Sequence, residues 1–163
     1  MAKFATNNFS LKRLVDNSYK AIDQGFYETK QLFTHDTISL RKAISLCAHA
    51  PLVAEVKFSS PSQGKIRSKT EPAGIAKTMV DSGAIGISVL TQPSLFDGSI
   101  KYLATIRKEL KRVPILMKDI TVSTVQIDAG KKVGADCVLL IKSIFDRNLA
   151  EDFMEKLLEY AKN

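Results

Sequence analysis

The sequence predicts an α/β protein in which four consecutive βα units follow a helical N-terminal segment. Short, almost continuously apolar runs start near residues 52, 85, 114 and 136. Each is followed by a capped stretch with apolar residues at helical spacing. The runs do not alternate polar with apolar, which marks strands buried on both faces, as in a parallel sheet covered by helices. The chain has 163 residues, about one domain, and its 45% hydrophobic and 25% charged content excludes a disordered or fibrous protein.

Residues 1–50 read as a helical extension and residues 51–163 as the βα units. Ser10 caps a first helix carrying Leu11, Val15, Tyr19 and Ile22 on one face, and Gly25 ends it. A second helix carries Leu40, Ile44 and Cys47 on one stripe, with Asp36 or Ser39 as its cap. After Pro51, Leu52–Lys57 is the first strand. Pro72 opens a helix that turns Ile75, Met79 and Val80 inward and stops at Gly83. Ala84–Leu90 is the second strand. Ser99 caps a helix with Ile100, Leu103, Ile106 and Leu110 as its buried stripe. Pro114–Asp119 is the third strand, and Ser123 with Gln126 forms a capping box for a helix closed by Gly134. Cys137–Ile141 is the fourth strand. Asp146 caps a last helix with Leu149, Phe153 and Leu157 in line.

The strand starts are 33, 29 and 22 residues apart. Eight units of that mean size total about 224 residues, within the range of a (β/α)8 barrel. An open doubly wound sheet is the other candidate. In sequential order, Leu52–Val56 and Val138–Ile141 become edge strands with no charge or proline in the middle to protect them.

The net charge of +7 divides into +3 over residues 1–50 and +4 over 51–163, without a long basic run. That spread argues against a nucleic-acid binder and suits a small anionic substrate. No apolar run approaches the ~20 residues of a membrane helix, and the N-terminus has no secretory core. Two cysteines make no disulfide framework, and no Cys/His pair has zinc-ligand spacing. A cytoplasmic protein without a metal is the expectation.

In βα proteins chemistry gathers at the C-terminal ends of the strands. Alternation places Glu55 and Lys57 on one face of the first strand. A carboxylate and an ammonium pointing inward are either a structural ion pair or a working one. Lys118, closing the third strand, is either a desolvated general acid with a lowered pKa or a lysine snorkelling at the strand mouth. Thr91 and Phe96–Ser99 read as a strand end and a helix cap, and Lys142 as a surface lysine. His35 and His49 read as solvated or capping residues, and Cys137 as core. There is no G-x-G-x-x-G or Walker motif, so a dinucleotide or ATP site has no support.

Glu55-x-Lys57-x-x-Ser60-Pro61-Ser62-x-Gly64 resembles the first-strand motif of the indole-3-glycerol phosphate synthase family. Ser88-Val89-Leu90-Thr91 with Phe96-x-Gly98-Ser99, Pro114–Asp119, and Gly134-Ala135-Asp136-x-x-Leu139-Leu140-Ile141 resemble its next three strands in order. The resemblance covers about 110 residues. It implies a TIM barrel of which this chain holds the first four βα units, a half-barrel behind an extension that lies across it. It implies a carboxy-lyase of tryptophan biosynthesis that closes the indole ring of 1-(2-carboxyphenylamino)-1-deoxyribulose 5-phosphate, with loss of carbon dioxide and water and with no cofactor. By the same resemblance Lys118 is the general acid, Lys57 holds the anionic substrate, and Glu55 pairs with and tunes the lysines. Ser60 contacts substrate, and Phe96 and Leu139 line the pocket for the aromatic ring.

Two departures accompany the resemblance. Ile120 stands where the family motif has an aromatic residue. The family's glutamate of strand five, asparagine of strand six and phosphate loops after strands seven and eight fall outside the 163 residues. The expectation is therefore that the chain alone does not turn over, and that its edge strands favour self-association. The alternatives are an inactive self-associating half-barrel, or another phosphate-binding barrel such as a phosphoribosyl isomerase. The latter leaves the Glu-x-Lys run unexplained.

Overall fold

The computed structural model describes residues 10–60, 64–66 and 71–162. Pro61 and Ser62 of the first-strand motif lie outside these residues.

Helix α1 spans Leu11–Asp23, with the Ser10 hydroxyl accepting from the Arg13 N–H at 3.2 Å. Its buried face is Leu14, Val15, Ser18 and Ala21, one position round from the expected stripe, so Leu11, Tyr19 and Ile22 lie at its margin. Residues 28–39 form neither helix nor strand. This stretch is rich in threonine and lacks an apolar period of 3.6, and it is tied down instead by the Phe33 N–H donating to the Lys132 carbonyl at 2.9 Å. Helix α2, Leu40–Leu46, is capped by Ser39 and not Asp36. Cys47 already has extended backbone, and none of the helix's residues is buried. The expected inward stripe of Leu40, Ile44 and Cys47 is therefore not formed.

Strand β1 is Val53–Val56. Strands β2, Ser59–Ser60, and β3, Gly64–Lys65, make a small antiparallel hairpin that was not expected. Then come α3, Pro72–Asp81; β4, Gly86–Leu90; α4, Pro93–Phe96; and α5, Ile100–Glu109. They are followed by β5, Ile115–Lys118; α6, Thr124–Val133; β6, Cys137–Val138; α7, Lys142–Asp146; and α8, Met154–Tyr160. The order β1-β4-β5-β6 is sequential and every pair is parallel, with flanking helices: half of a (β/α)8 barrel behind a helical extension.

Ile87, Val89, Ile115 and Met117 pack in one cluster with Ala76, Leu103, Ile106, Ala129 and Val133 of the helices. Burial of this kind contributes roughly 25 cal/mol per Å² of apolar surface. By alternation, Glu55, Ser88, Leu90, Leu116 and Lys118 project from the other face of the sheet.

Three local expectations are corrected. Gln126 does not complete a capping box: its side chain turns inward, fully buried, and accepts from Val122 N–H at 2.8 Å. Strand β6 is only two residues long, Cys137–Val138 in place of the expected Cys137–Ile141, and pairs with β5. The last helix is two helices. Asp146 is the end of α7, paired with Lys142 at 2.6 Å, and Phe153 is 73% exposed at the start of α8. The Asp146 side chain is taken by Lys142, and α8 starts after Phe153 with no side-chain cap.

Beneath the sheet, Arg107 of α5 is 3% exposed and pairs with Asp136. Its Nε donates to the Gly134 carbonyl at 2.8 Å. Asp136 also accepts from Ile115 N–H at 2.7 Å and Ile38 N–H at 2.8 Å, and binds His35 Nε2 at 3.0 Å. His35 is thus a structural partner of Asp136, not a solvated or capping residue. Gly134 (φ +88°) is required here, since a Cβ would stand 2.6 Å from Arg107 Cγ. Asp136→Asn leaves the buried guanidinium uncompensated and is expected to lower unfolding free energy in urea by about 3–5 kcal/mol. Asp81→Asn, which breaks the exposed Lys77–Asp81 pair, should leave the urea transition close to that of the parent, because solvent screens such a pair.

Candidate active site

The sheet's register brings two lysines to one carboxylate. Glu55 on β1 stands opposite Ser88, and Leu90 opposite Lys118. Continuing the β1–β4 register by one residue puts Lys57 beside Leu90. The two lysines therefore flank Leu90 at the C-terminal rim, with Glu55 one pleat behind them. Backbones two strands apart are separated by about 10 Å, a gap that a glutamate and a lysine together can span. Lys57 Nζ lies 3.0 Å from Glu55 Oε1, and Lys118 Nζ bonds Glu55 Oε2. Burial pushes the Glu55 carboxyl up, but the hydrogen bonds and charges of Lys118 and Lys57 outweigh it and hold the group below its ordinary value. Of the two readings the sequence leaves open for Lys118, the desolvated one is not formed. Its side chain is 41% exposed and already has its counter-ion.

These three groups open onto a cavity of about 100 Å³ walled by Leu90, Phe96, Ile120, Leu139 and Ile141, with Gln92 and Asp119. Phe96 is placed by α4, a single turn started by Pro93 and capped by Gln92, whose Oε1 accepts from Leu95 N–H at 3.0 Å. The chain then returns so closely to β4 that a Cβ on Gly98 would meet the Leu90 carbonyl oxygen at 2.7 Å. Gln92 is fully buried, and its Nε2 has no partner among the described residues. Leu139 follows β6, and Ile120, 7% exposed, supplies an aliphatic wall where the family motif has an aromatic ring. Ser60 is buried on β2 and is not part of the cavity wall.

Sequence reasoning missed the polar groups behind this wall. Asp119 is 1% exposed and accepts from the Tyr27 hydroxyl (2.9 Å), the Thr91 hydroxyl and the Ile120 N–H (2.8 Å). Burial raises its pKa from 3.8 to about 6, although the three hydrogen bonds oppose the shift. Burial and the Asp119 charge push the Tyr27 phenol up. An acidic residue directly after a strand's last lysine, and so on the opposite face, was the one available sequence signal.

The remaining candidates stand apart from the cavity. His49 is exposed, and Lys142 is a surface lysine, 70% exposed. Burial and then Asp136 raise the Cys137 thiol to about 11, which removes it as a nucleophile at neutral pH. A larger depression of about 700 Å³ beside β6 includes Asp128, Asp136 and Lys131, but not the lysine–glutamate cluster. Among the described residues no three His, Cys, Asp or Glu side chains gather as a metal site, and no helix is long and apolar enough to cross a membrane.

A profile of indole-3-glycerol phosphate synthase matches residues 11–163. The indole-3-glycerol phosphate synthase of Methanocaldococcus jannaschii is 45% identical over 114 residues, covering 69% of this chain and 40% of the relative. That of Aquifex aeolicus is 44% identical over 119 residues, 71% of this chain and 45% of the relative. That of Salinibacter ruber is 34% identical over 143 residues, 83% of this chain and 53% of the relative. The chain spans about half the length of the curated relatives it matches.

The buried carboxyl behind the wall has a pH signature. With its pKa raised, folded Asp119 keeps a proton between pH 4 and 6 that the unfolded chain releases, so its contribution to stability falls as pH rises through that window. Relative to Asp119→Asn, the parent protein should therefore lose unfolding free energy from about pH 4 to about pH 6 and change little above about pH 7. Chemical denaturation at a series of pH values checks this, and a difference that rises with pH would contradict it.

Proposed function

The chain belongs to the indole-3-glycerol phosphate synthase family, and from that premise we propose that its site serves closure of the indole ring. The substrate is 1-(2-carboxyphenylamino)-1-deoxyribulose 5-phosphate. The reading is supported above all by one observation: Glu55 holds two ammonium groups at the mouth of an apolar-walled cavity.

A multiply anionic substrate with a flat aromatic body fits that combination. The ring lies against Phe96 and Leu139, and Lys57 exchanges its bond to Glu55 for the substrate's negative charge. The ring carbon bearing the carboxylate attacks the ribulose carbonyl carbon, and a carbon–carbon bond forms. The carbonyl oxygen takes a proton from Lys118 Nζ, which stands at the end of the central strand β5, in bonding reach of Glu55. The carboxylate departs as carbon dioxide and leaves its electron pair to the ring. The new hydroxyl then leaves as water with a proton from the methylene carbon beside nitrogen.

Glu55 keeps both lysines at the rim before substrate arrives. Its negative charge also offsets the mutual repulsion of the two ammonium groups at the half-buried rim. Its depressed pKa means it stays ionised through the neutral range. The two free cysteines suit the reducing cytoplasm, which is where we place the enzyme.

In the enzyme built on this chain, Lys118→Met is expected to lower kcat by about 100- to 10,000-fold with a small change in KM, since protonation is needed in the transition state. Lys57→Met raises KM as well, because it removes charge that the bound substrate already feels. A ring-closure assay followed by the fluorescence of the indole product measures both. A Lys118→Met enzyme with near-normal kcat would show that another group is the acid.

A further inference from the structure

Beyond its last ladder pair, Leu90 with Lys118, the β5 chain leaves the sheet and runs along the cavity rim. The last backbone bond between the two strands runs from the Thr91 N–H to the Lys118 carbonyl at 3.1 Å, and from there side chains take over: the Thr91 hydroxyl donates to the Asp119 carboxylate. Tyr27 donates its hydroxyl to the same Asp119 oxygen at 2.9 Å, across 92 residues of sequence. Gln126 Nε2 donates to the Ile120 carbonyl at 3.0 Å and to the Tyr27 hydroxyl at 3.2 Å. Gln126 Oε1 takes the Val122 N–H. Tyr27, Thr91, Asp119 and Gln126 are all 4% exposed or less.

Four polar side chains sealed from water are costly unless satisfied, and satisfied networks hold one arrangement rigidly. The backbone they hold belongs to Lys118, Asp119 and Ile120, all three of which wall the cavity. Consecutive residues at a strand end face opposite ways. Lys118 reaches forward to Glu55, and Asp119 reaches back to Tyr27 and Thr91. The network therefore grips the strand end from behind, on the side away from the ammonium and its contact with Glu55.

We propose that Tyr27 and Asp119 are positioning residues for Lys118. Through their buried hydroxyl–carboxylate contact, the segment after α1 sets where the lysine-bearing end of β5 stands at the cavity. The inference rests on Lys118 acting there as under the proposed function. Catalytic groups tolerate little displacement, and a shift of about 1 Å can cost about 100-fold in rate.

The test uses Tyr27→Phe, which removes one hydroxyl and keeps the ring, with Asp119→Asn as a second variant. Amide hydrogen exchange is followed at Thr91, whose N–H bonds the Lys118 carbonyl, and at Ile87, whose N–H bonds the Pro114 carbonyl in the same strand pair. In each variant that folds, the expected result is about tenfold faster exchange at Thr91 with Ile87 unchanged. It is accompanied by a kcat about tenfold lower and a KM within about twofold of the parent. Equal acceleration at both amides would mean general destabilisation and would overturn the inference. Unchanged protection at Thr91 would do the same, as would a normal kcat in Tyr27→Phe. If the parent protein does not close the ring, the functional reading fails, and the exchange at Thr91 against Ile87 still decides whether Tyr27 and Asp119 position the strand end.

Discussion

One carboxylate must answer two ammonium groups that arrive on different strands. Glu55 on β1 takes Lys57 with one oxygen and Lys118 of β5 with the other. That arrangement needs β1, β4 and β5 parallel and in the observed register, because a slip of one residue in either pairing would send one partner to the helix-packed face. Ion pairs at a half-buried site are weak evidence for stability, since desolvation offsets much of the attraction. Here the pair sits at the C-terminal rim, over an apolar cavity, and its groups can change partners when an anion enters. The packing of Ile87, Val89, Ile115 and Met117 on the helices supplies the rigid base that makes the rim geometry reproducible.

The sheet alone does not carry the site to completion. The ladder between β4 and β5 ends at Lys118, and the wall formed by Asp119 and Ile120 lies beyond it. Hydrogen bonds from Thr91, Tyr27 and Gln126 take over from the ladder. They also join the extension to the βα units, together with the packing of Leu14 and Val15 against Ile120, Val122 and Ile144. The extension thus shares its contacts with the residues that shape the cavity. Its placement and that of Lys118 are parts of one packing problem.

What the sequence made legible was local. Ser10, Ser39, Ser99 and Ser123 each sit before a helical stripe, and each hydroxyl caps its helix. Glu55 and Lys57 are two residues apart in a strand, so their shared face follows from the pleat, and Lys118 closes an apolar run. The motifs around these residues also marked the family. What stayed hidden depends on distant partners. Gln126 has the spacing of a capping box, but Tyr27 and the Ile120 carbonyl draw it inward. His35 has no local feature that points to Asp136, 101 residues away. The helical stripe of α2 is real in the sequence but is only partly covered, with Leu40 half-buried against Gly86 and Ile44 exposed. The apolar strand left Lys118 open between a desolvated acid and a snorkelling lysine; the pairing with Glu55 came only through the family resemblance, and the register of β1, β4 and β5 is what brings the two groups together.

The site depends on Glu55 being held ionised by the two lysines against the effect of burial. Carboxyl carbon shifts of labelled glutamate, followed through an acid titration, report this directly once Glu55 is assigned by substitution. In the parent protein the Glu55 signal should titrate below the ordinary value of 4.5. In Lys118→Met it should move upward, because burial then acts against one lysine in place of two. A parent signal titrating at or above the ordinary value, or one unmoved by Lys118→Met, would contradict the coupling on which the site is built.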